Sequence, residues 1–256
     1  MQTIDRAMNV VNMLVSKSSE NGLSITELSQ ECDLPIGSIH RVLKAMSKHG
    51  LIKQDEQSKR YGLGDIWMEY GLKMYDTLDY ISIIRPELER LMHKVEESVF
   101  LYRPMGLESI IIERIDSERN PIRVYDQLGS RIPFHVGAAN KVMLAYMPEK
   151  QAKKVIDTLE SEKEKIEFLE VLKDMNFKGY GISHSERTEG TSSVAAPILN
   201  FFGEVSGAIS IGFVSFNLTP ERLNILVKNV METSQSMSAK LGYNGSEHTK
   251  AMNRSF

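Results

Sequence analysis

Apolar residues recur at helical spacing in the first part of the chain. Ile4, Ala7, Met8, Val11, Leu14 and Val15 fall on one face of a helix over residues 3–16. Asn21-Gly22 breaks it. Ser24-Ile25-Thr26-Glu27 then has the form of a capping box, a hydroxyl acceptor with a Glu three residues on, and opens a short helix to about Glu31. After the turn Cys32-Asp33-Leu34 comes LPIGSIHRVLKAMSKHG, Leu34 to Gly50, with Pro35 placed to open a helix at its first position and Gly50 placed to end it. Ile39, Val42, Leu43 and Met46 line one side of that helix; Ser38, Arg41, Lys44, Ala45 and Lys48 line the other. Leu51 to Gln54 and Arg60 to Gly64 are strand patterns around the polar turn Asp55 to Lys59, a β-hairpin. Two helices, a tight turn, a third helix and a hairpin are the parts of a winged helix-turn-helix, in which the third helix enters the major groove.

The pattern then changes. Asp65 to Leu78 is an amphipathic helix with Ile66, Trp67, Tyr70, Gly71, Met74 and Tyr75 on its apolar side, and Pro86 to Glu97 reads as a helix that begins with a proline. Ser98 to Arg103, Glu108 to Ile115, Ile122 to Tyr125, Arg131 to His135, Ser192 to Leu199 and Val205 to Ser215 read as extended segments. A helix ending near Tyr146 and charged helices over Glu149–Leu159 and Glu164–Met175 lie among them. Thr219-Pro220 caps a final helix that Gly242 ends, and the polar tail from Asn244 has the composition of a disordered end. The fold class is α+β, divided into a DNA-binding unit over 1–64, a linker helix over 65–79, a second domain over 80–243 and the tail 244–256.

Composition narrows what these parts can do. The 256 residues carry a net charge of −3, so affinity for nucleic acid has to come from a local patch. Such a patch exists: between Leu34 and Gln54 there is no acidic residue, whereas Arg41, Lys44, Lys48 and Lys53 are all present. The helix is suited to a polyanion, and a solvated amphipathic helix is the alternative on its residues alone; the hairpin behind it favours the first. A single cysteine, Cys32, excludes a disulfide framework and fits a reducing compartment. No apolar run approaches a membrane span, which leads to the expectation of a cytoplasmic protein without a membrane partner.

Several local sequences together resemble the IclR family of bacterial transcriptional regulators over nearly the whole chain. They are Leu34-Pro35 with Ile39-His40-Arg41-Val42-Leu43, His49-Gly50-Leu51-Ile52, Tyr61-Gly62-Leu63-Gly64, Arg131-Ile132-Pro133-Phe134-His135 with Lys141, Gly179-Tyr180-Gly181, and Ala195-Ala196-Pro197-Ile198. The match departs at Ile36-Gly37, where the family more often has a polar or basic pair. The resemblance implies a GAF/PAS-like effector-binding domain after the linker helix, a dimer or dimer of dimers, and a repressor acting at a palindromic double-stranded operator. It also implies that Ser38, Arg41, Lys44, Ala45, Lys48, Lys59 and Arg60 face DNA. The linker helix would then meet the other subunit; packing on its own C-terminal domain is the alternative.

Small residues lead from Arg131 through Gly137, Ala138, Ala139 and Asn140 into the next helix, a place where bared N–H groups can hold an anion or where a tight turn simply needs small side chains. The resemblance favours effector binding there, completed by Ser183, Ser193, Ser210 and Gly212. Members that bind small keto-acids tend to carry Asp, Cys and Ser at the positions of Ser183, Ser193 and Gly212. Three hydroxyls without a carboxylate suit a small acidic or hydroxylated metabolite. His184, Ser185, Glu186 and Arg187 are neighbours in sequence, which is the wrong arrangement for a nucleophile and its base, so no catalytic residue is assigned. Six scattered histidines and one cysteine assign no metal or cofactor.

Overall fold

Capping chemistry and glycine placement shape the N-terminal unit. In this computed structural model, which describes residues 2–17, 22–76, 79–120, 122–216 and 218–244, the chain divides into two compact units, 1–79 and 80–256. Helix α1 spans Gln2–Ser16, α2 Ile25–Glu31 and α3 Ile36–Lys48. Asn21, Leu78 and the tail from 245 lie outside the described residues, and with them the sequence expectations that fall there. The Ser24 capping box forms: its hydroxyl accepts the Glu27 N–H, and Glu27 accepts the Ser24 N–H at 2.7 Å. Pro35 is the cap itself and not the first helical residue; its carbonyl accepts from Ser38 and Ile39. Ile39, Leu43 and Met46 of α3 pack with Val10, Val11, Leu14 and Leu28 into one core, while Ile4, Met8 and Val15 are exposed. Of the expected α1 face, Ala7, Val11 and Leu14 do meet the core, whereas Ile4, Met8 and Val15 at its edge do not and Val10, outside the expected set, is fully buried; the apolar band is wider than the domain covers, and spacing alone does not say which edge is buried.

Strands β1 (Ile52–Gln54) and β2 (Tyr61–Leu63) pair antiparallel as the expected hairpin, and Leu23 bridges to Tyr61. Gly64 sits where a Cβ would lie 1.8 Å from the Gly50 carbonyl oxygen, so the return from hairpin to α4 (Ile66–Asp76) tolerates no side chain. Trp67 Nε1–H donates to Leu51 O at 2.7 Å and fixes the base of α4 to the hairpin; Met68, Tyr70, Leu72 and Met74 higher on the helix are exposed.

In the second unit, α5 runs from Asp79 to Val95, beginning seven residues before Pro86 and not at it. Ile81, Ile84, Leu88 and Leu91 form one buried stripe across the proline, which itself faces outward, where its missing N–H is tolerated. Six strands follow: β3 Ser98–Met105, β4 Glu108–Ile115, β5 Arg131–Pro133, β6 Gly181–His184, β7 Thr191–Leu199 and β8 Val205–Val214, in the order β5-β4-β3-β8-β7-β6, with every neighbour antiparallel. Residues 122–125 are not extended sheet as expected. Side-chain contacts hold them in place of strand pairing: Asn120 Oδ1 accepts the Ile122 N–H, Arg123 donates to Ser117 O, and the Arg114 guanidinium lies 4.0 Å over the Tyr125 ring. Helix α6 (Ala138–Ala145) packs on β7 and β8; α7 (Glu149–Ile156) and α8 (Glu162–Lys178) join it; α9 (Pro220–Lys240) also packs on β7 and β8. Its serines define the other side of β7, since Ser234 donates to Pro197 O and Ser238 accepts the Leu199 N–H.

Gly64→Ala is expected to cost about 1–3 kcal/mol or more by overpacking, against little change for Gly62→Ala, which meets nothing within 4 Å; denaturant unfolding of the two variants measures the difference. The Ser24 N–H and hydroxyl, with Arg60, hold the Glu27 carboxyl at about 2, below its ordinary 4.5. The stabilisation is present above the ordinary value and lost as pH falls toward the depressed one. Thermal melts should therefore show the wild-type advantage over Glu27→Gln shrinking from about pH 5 to about pH 2.

Candidate effector site and nucleic-acid interface

The exposed side of α3 carries Arg41, Lys44, Ala45 and Lys48, with Ser38 half-buried at its edge. None of Arg41, Lys44, Lys48 and Lys59 is ion-paired with a described residue, whereas Lys53 is bound to Asp65 at 2.6 Å. Lys59 stands at the hairpin tip, where Asp55 Oδ1 accepts from Gln57 and Ser58 and closes the turn. Arg60 behaves differently from its neighbours in the expected DNA-facing set. Its Nε donates to Gly22 O at 2.9 Å and its guanidinium pairs with Glu27 at 2.9 Å, so its hydrogen bonds go into the domain. Ile36 and Gly37 are exposed at the start of the helix.

In the second unit the seven residues expected at an effector site line one cavity. Register explains their meeting. Ser183 pairs with Ser193, and Ser193 with Gly212, so three strands place them in one cross-strand row; Ser210 lies two residues along from Gly212 on the same face. Ser183 Oγ and Ser193 Oγ are 2.8 Å apart and share a hydrogen bond, while Ser210 donates to Val194 O at 3.2 Å. At Gly212 a Cβ would lie 3.0 Å from the Phe100 ring and 3.2 Å from Val124 Cβ, which explains why a side chain is missing there. Ala138 and Ala139 begin α6 under this sheet. Asn140 is consumed structurally: its Oδ1 accepts from Ser109 and its Nδ2 donates to Val136 O.

The cavity encloses about 40 Å³, room for roughly three water-sized groups. Its rim also holds charged residues outside the expected effector set. Glu186 Oε2 accepts the Gly137 N–H at 2.7 Å, and its other oxygen pairs with Lys141, which is 9 % exposed. Arg187 pairs with Asp126 at 2.6 Å; burial, outweighing this pairing, pushes the Asp126 carboxyl above its ordinary range. Two expectations are corrected here. The anion-attracting start of α6 already holds a carboxylate of the chain itself, and the pocket is not free of carboxylates, because Asp126 and Glu186 both line it. Each arrives from a loop, Asp126 61 residues and Glu186 45 residues from its cationic partner, so no local motif announces it. The neighbours His184 to Arg187 do diverge: His184 meets Ser192 Oγ at 2.8 Å, Ser185 Oγ accepts the Gly190 N–H, and Glu186 and Arg187 go to opposite partners. Among the described residues no group of three His, Cys, Asp or Glu side chains is arranged for a metal, and no helix is long and apolar enough to cross a membrane.

A winged helix-turn-helix and an α+β domain with a polar, ion-paired cavity define a DNA-binding protein that carries its own small-molecule domain. The chain belongs to the IclR family of bacterial transcriptional regulators: residues 72–239 match the IclR C-terminal domain and residues 3–56 the IclR helix-turn-helix domain. It is a helix-turn-helix transcriptional regulator. It is similar to the HTH-type transcriptional regulator KipR of Bacillus subtilis, 29 % identical over 94 % of this chain and 98 % of the relative. The fold is that of an IclR transcriptional regulator from Alicyclobacillus acidocaldarius (TM-score 0.79, 23 % identity, 94 % of this chain and 99 % of that one). It is also that of an IclR homologue from Microbacterium hydrocarbonoxydans complexed with 4-hydroxybenzoate (TM-score 0.76, 18 % identity, 93 % and 98 %). Family members are transcriptional regulators and not enzymes.

Arg41→Ala is expected to weaken specific DNA binding by about 1–3 kcal/mol and relax selectivity at one operator position if the guanidinium reads a base. A selection of bound sequences from a randomised pool measures it; a uniform loss over all sequences identifies a phosphate contact instead.

Proposed function

We propose that the protein is a cytoplasmic, homo-oligomeric repressor whose operator affinity changes when a small acid, hydroxylated or hydroxyl-accepting, enters the cavity under β6–β8. The observation that carries this reading is the row Ser183–Ser193–Gly212 lining one cavity with the start of α6, in a chain that also presents cations on α3 with no ion-pair partner among the described residues. The relative complexed with 4-hydroxybenzoate supports it by the class of ligand, a hydroxylated carboxylic acid. In this reading Arg41 and Lys44 touch base edges or phosphates, Ser38 and Ala45 lie in the groove, and Lys48 and Lys59 hold the backbone. Arg60 joins them at the backbone while its guanidinium also braces the hairpin on Glu27. Residues 1–64 form the DNA-binding domain, 65–79 the linker helix and 80–243 the effector domain.

The oligomer follows from apolar surface left over within the N-terminal unit. Ile4, Met8 and Val15 of α1 and Met68, Leu72 and Met74 of α4 are exposed, more than single scattered side chains require. A two-fold dimer covering them would present two copies of α3 at a half-site spacing, and hence favour a palindromic operator. The His–Ser contact beside the cavity, His184 with Ser192, has no carboxylate among its described hydrogen-bond partners.

Gel shifts with the DNA upstream of the protein's own gene test the reading. The full chain should give a specific complex that weakens steeply between about 50 and 200 mM salt, and a chain starting at residue 79 should give none. A panel of hydroxy-, keto- and aromatic acids should contain at least one that changes the midpoint of that shift. A specific complex unaffected by every acid would remove the effector half of the proposal, and no complex at all would remove the whole.

A further inference from the structure

The start of α6 is occupied from within. One oxygen of Glu186 takes the Gly137 N–H at 2.7 Å and the other takes the Lys141 ammonium, one helical turn further on. A carboxylate at this end of a helix is favoured both by the exposed donors and by the helix dipole. The loop between β6 and β7 is shaped to deliver it. Ser185 takes a left-handed φ of +52°, its N–H donates to Thr191 O at 2.8 Å, and Glu186 then points back across the cavity rim.

The two partners are unequally placed. The Glu186 side chain is 30 % exposed and that of Lys141 only 11 %. Parting them lets Glu186 turn into water, but leaves Lys141 enclosed and in need of another anion. A ligand that brings its own carboxylate to Gly137 and Lys141 restores the count of charges; a neutral ligand does not.

We infer that Glu186 is a built-in competitor that determines specificity: an acidic effector binds by displacing the Glu186 carboxylate from Gly137 and Lys141. This rests on reading the cavity as the effector site. Because one carboxylate is exchanged for another, the acid group alone gains little, and net affinity comes from what the rest of the ligand makes with the hydroxyl row of Ser183 and Ser193. Simple anions are thereby kept out, and the released loop carries Arg187 and its bond to Asp126 with it.

Calorimetric titration of the full chain with lactate, pyruvate and the neutral lactamide tests this. Glu186→Gln should bind both acids at least about tenfold more tightly than wild type, with lactamide changed by less than about twofold. Glu186→Asp, which keeps the charge but is too short to hold both partners, should fall between; it decides the matter if thermal melts show that Glu186→Gln has lost its fold. Equal lactate affinity in wild type and variants overturns the displacement while leaving the effector site standing. An equal gain for lactamide also overturns it, since Glu186 would then only take up room. If no acid binds any of the proteins, the effector reading fails and this inference fails with it.

Discussion

Strand register is the constraint on which the ligand domain depends. Ser183, Ser193 and Gly212 come from three strands spread over thirty residues of sequence, and only the pairing Ser183↔Ser193↔Gly212 sets them side by side. A slip of one residue would turn the row to the opposite face and present Ser192 and its neighbours in its place. The irregularities in the sheet lie away from this row, between Ile198 and Leu199 on β7 and between Leu101 and Tyr102 on β3. Glycine completes the row at 212 because the Phe100 ring and Val124 already fill the volume a side chain would need.

Charge is handled in opposite ways in the two units. Around the cavity every cation has a carboxylate: Lys141 with Glu186, Arg187 with Asp126. With side chains this enclosed, removing one partner strands the other, so the pairs fix the loops more than they add to stability. On α8 the pairs Lys165–Glu162 and Lys178–Asp174 are surface contacts and contribute little. On α3, by contrast, Arg41, Lys44 and Lys48 have no carboxylate partner among the described residues, in a chain whose net charge is −3. Cations that go unneutralised in an acidic protein are available to a polyanion.

The elements bounded by local chemistry could be read from the sequence. The Ser24–Glu27 box, the hairpin around Asp55 to Lys59 and the Thr219-Pro220 start all form as their residues suggest. The helix expected at Glu164 starts at Glu162, and the sign was present in Ser161 and Glu164, a second capping box. Pro86 misled because a proline opens helices more often than it sits inside one, although the Ile81–Ile84–Leu88 stripe crosses it. Strand β6 carries only four residues and no strong alternation of its own; it exists because β7 offers it an edge. The small and hydroxyl-bearing residues of the cavity were legible through the family resemblance. Glu186 and Asp126 were not, because a carboxylate on a loop looks solvated until the fold brings a buried cation to it.

Trp67 joins α4 to the hairpin through its bond to the Leu51 carbonyl, and it is the only tryptophan in the chain. The intrinsic indole emission of the whole protein is therefore the emission of that one joint. Its colour and lifetime report whether the indole N–H still holds its carbonyl, with no label attached. Events at the cavity of the second unit become optically visible through Trp67 only insofar as they reach this bond, so the chain carries its own reporter of whether one unit informs the other.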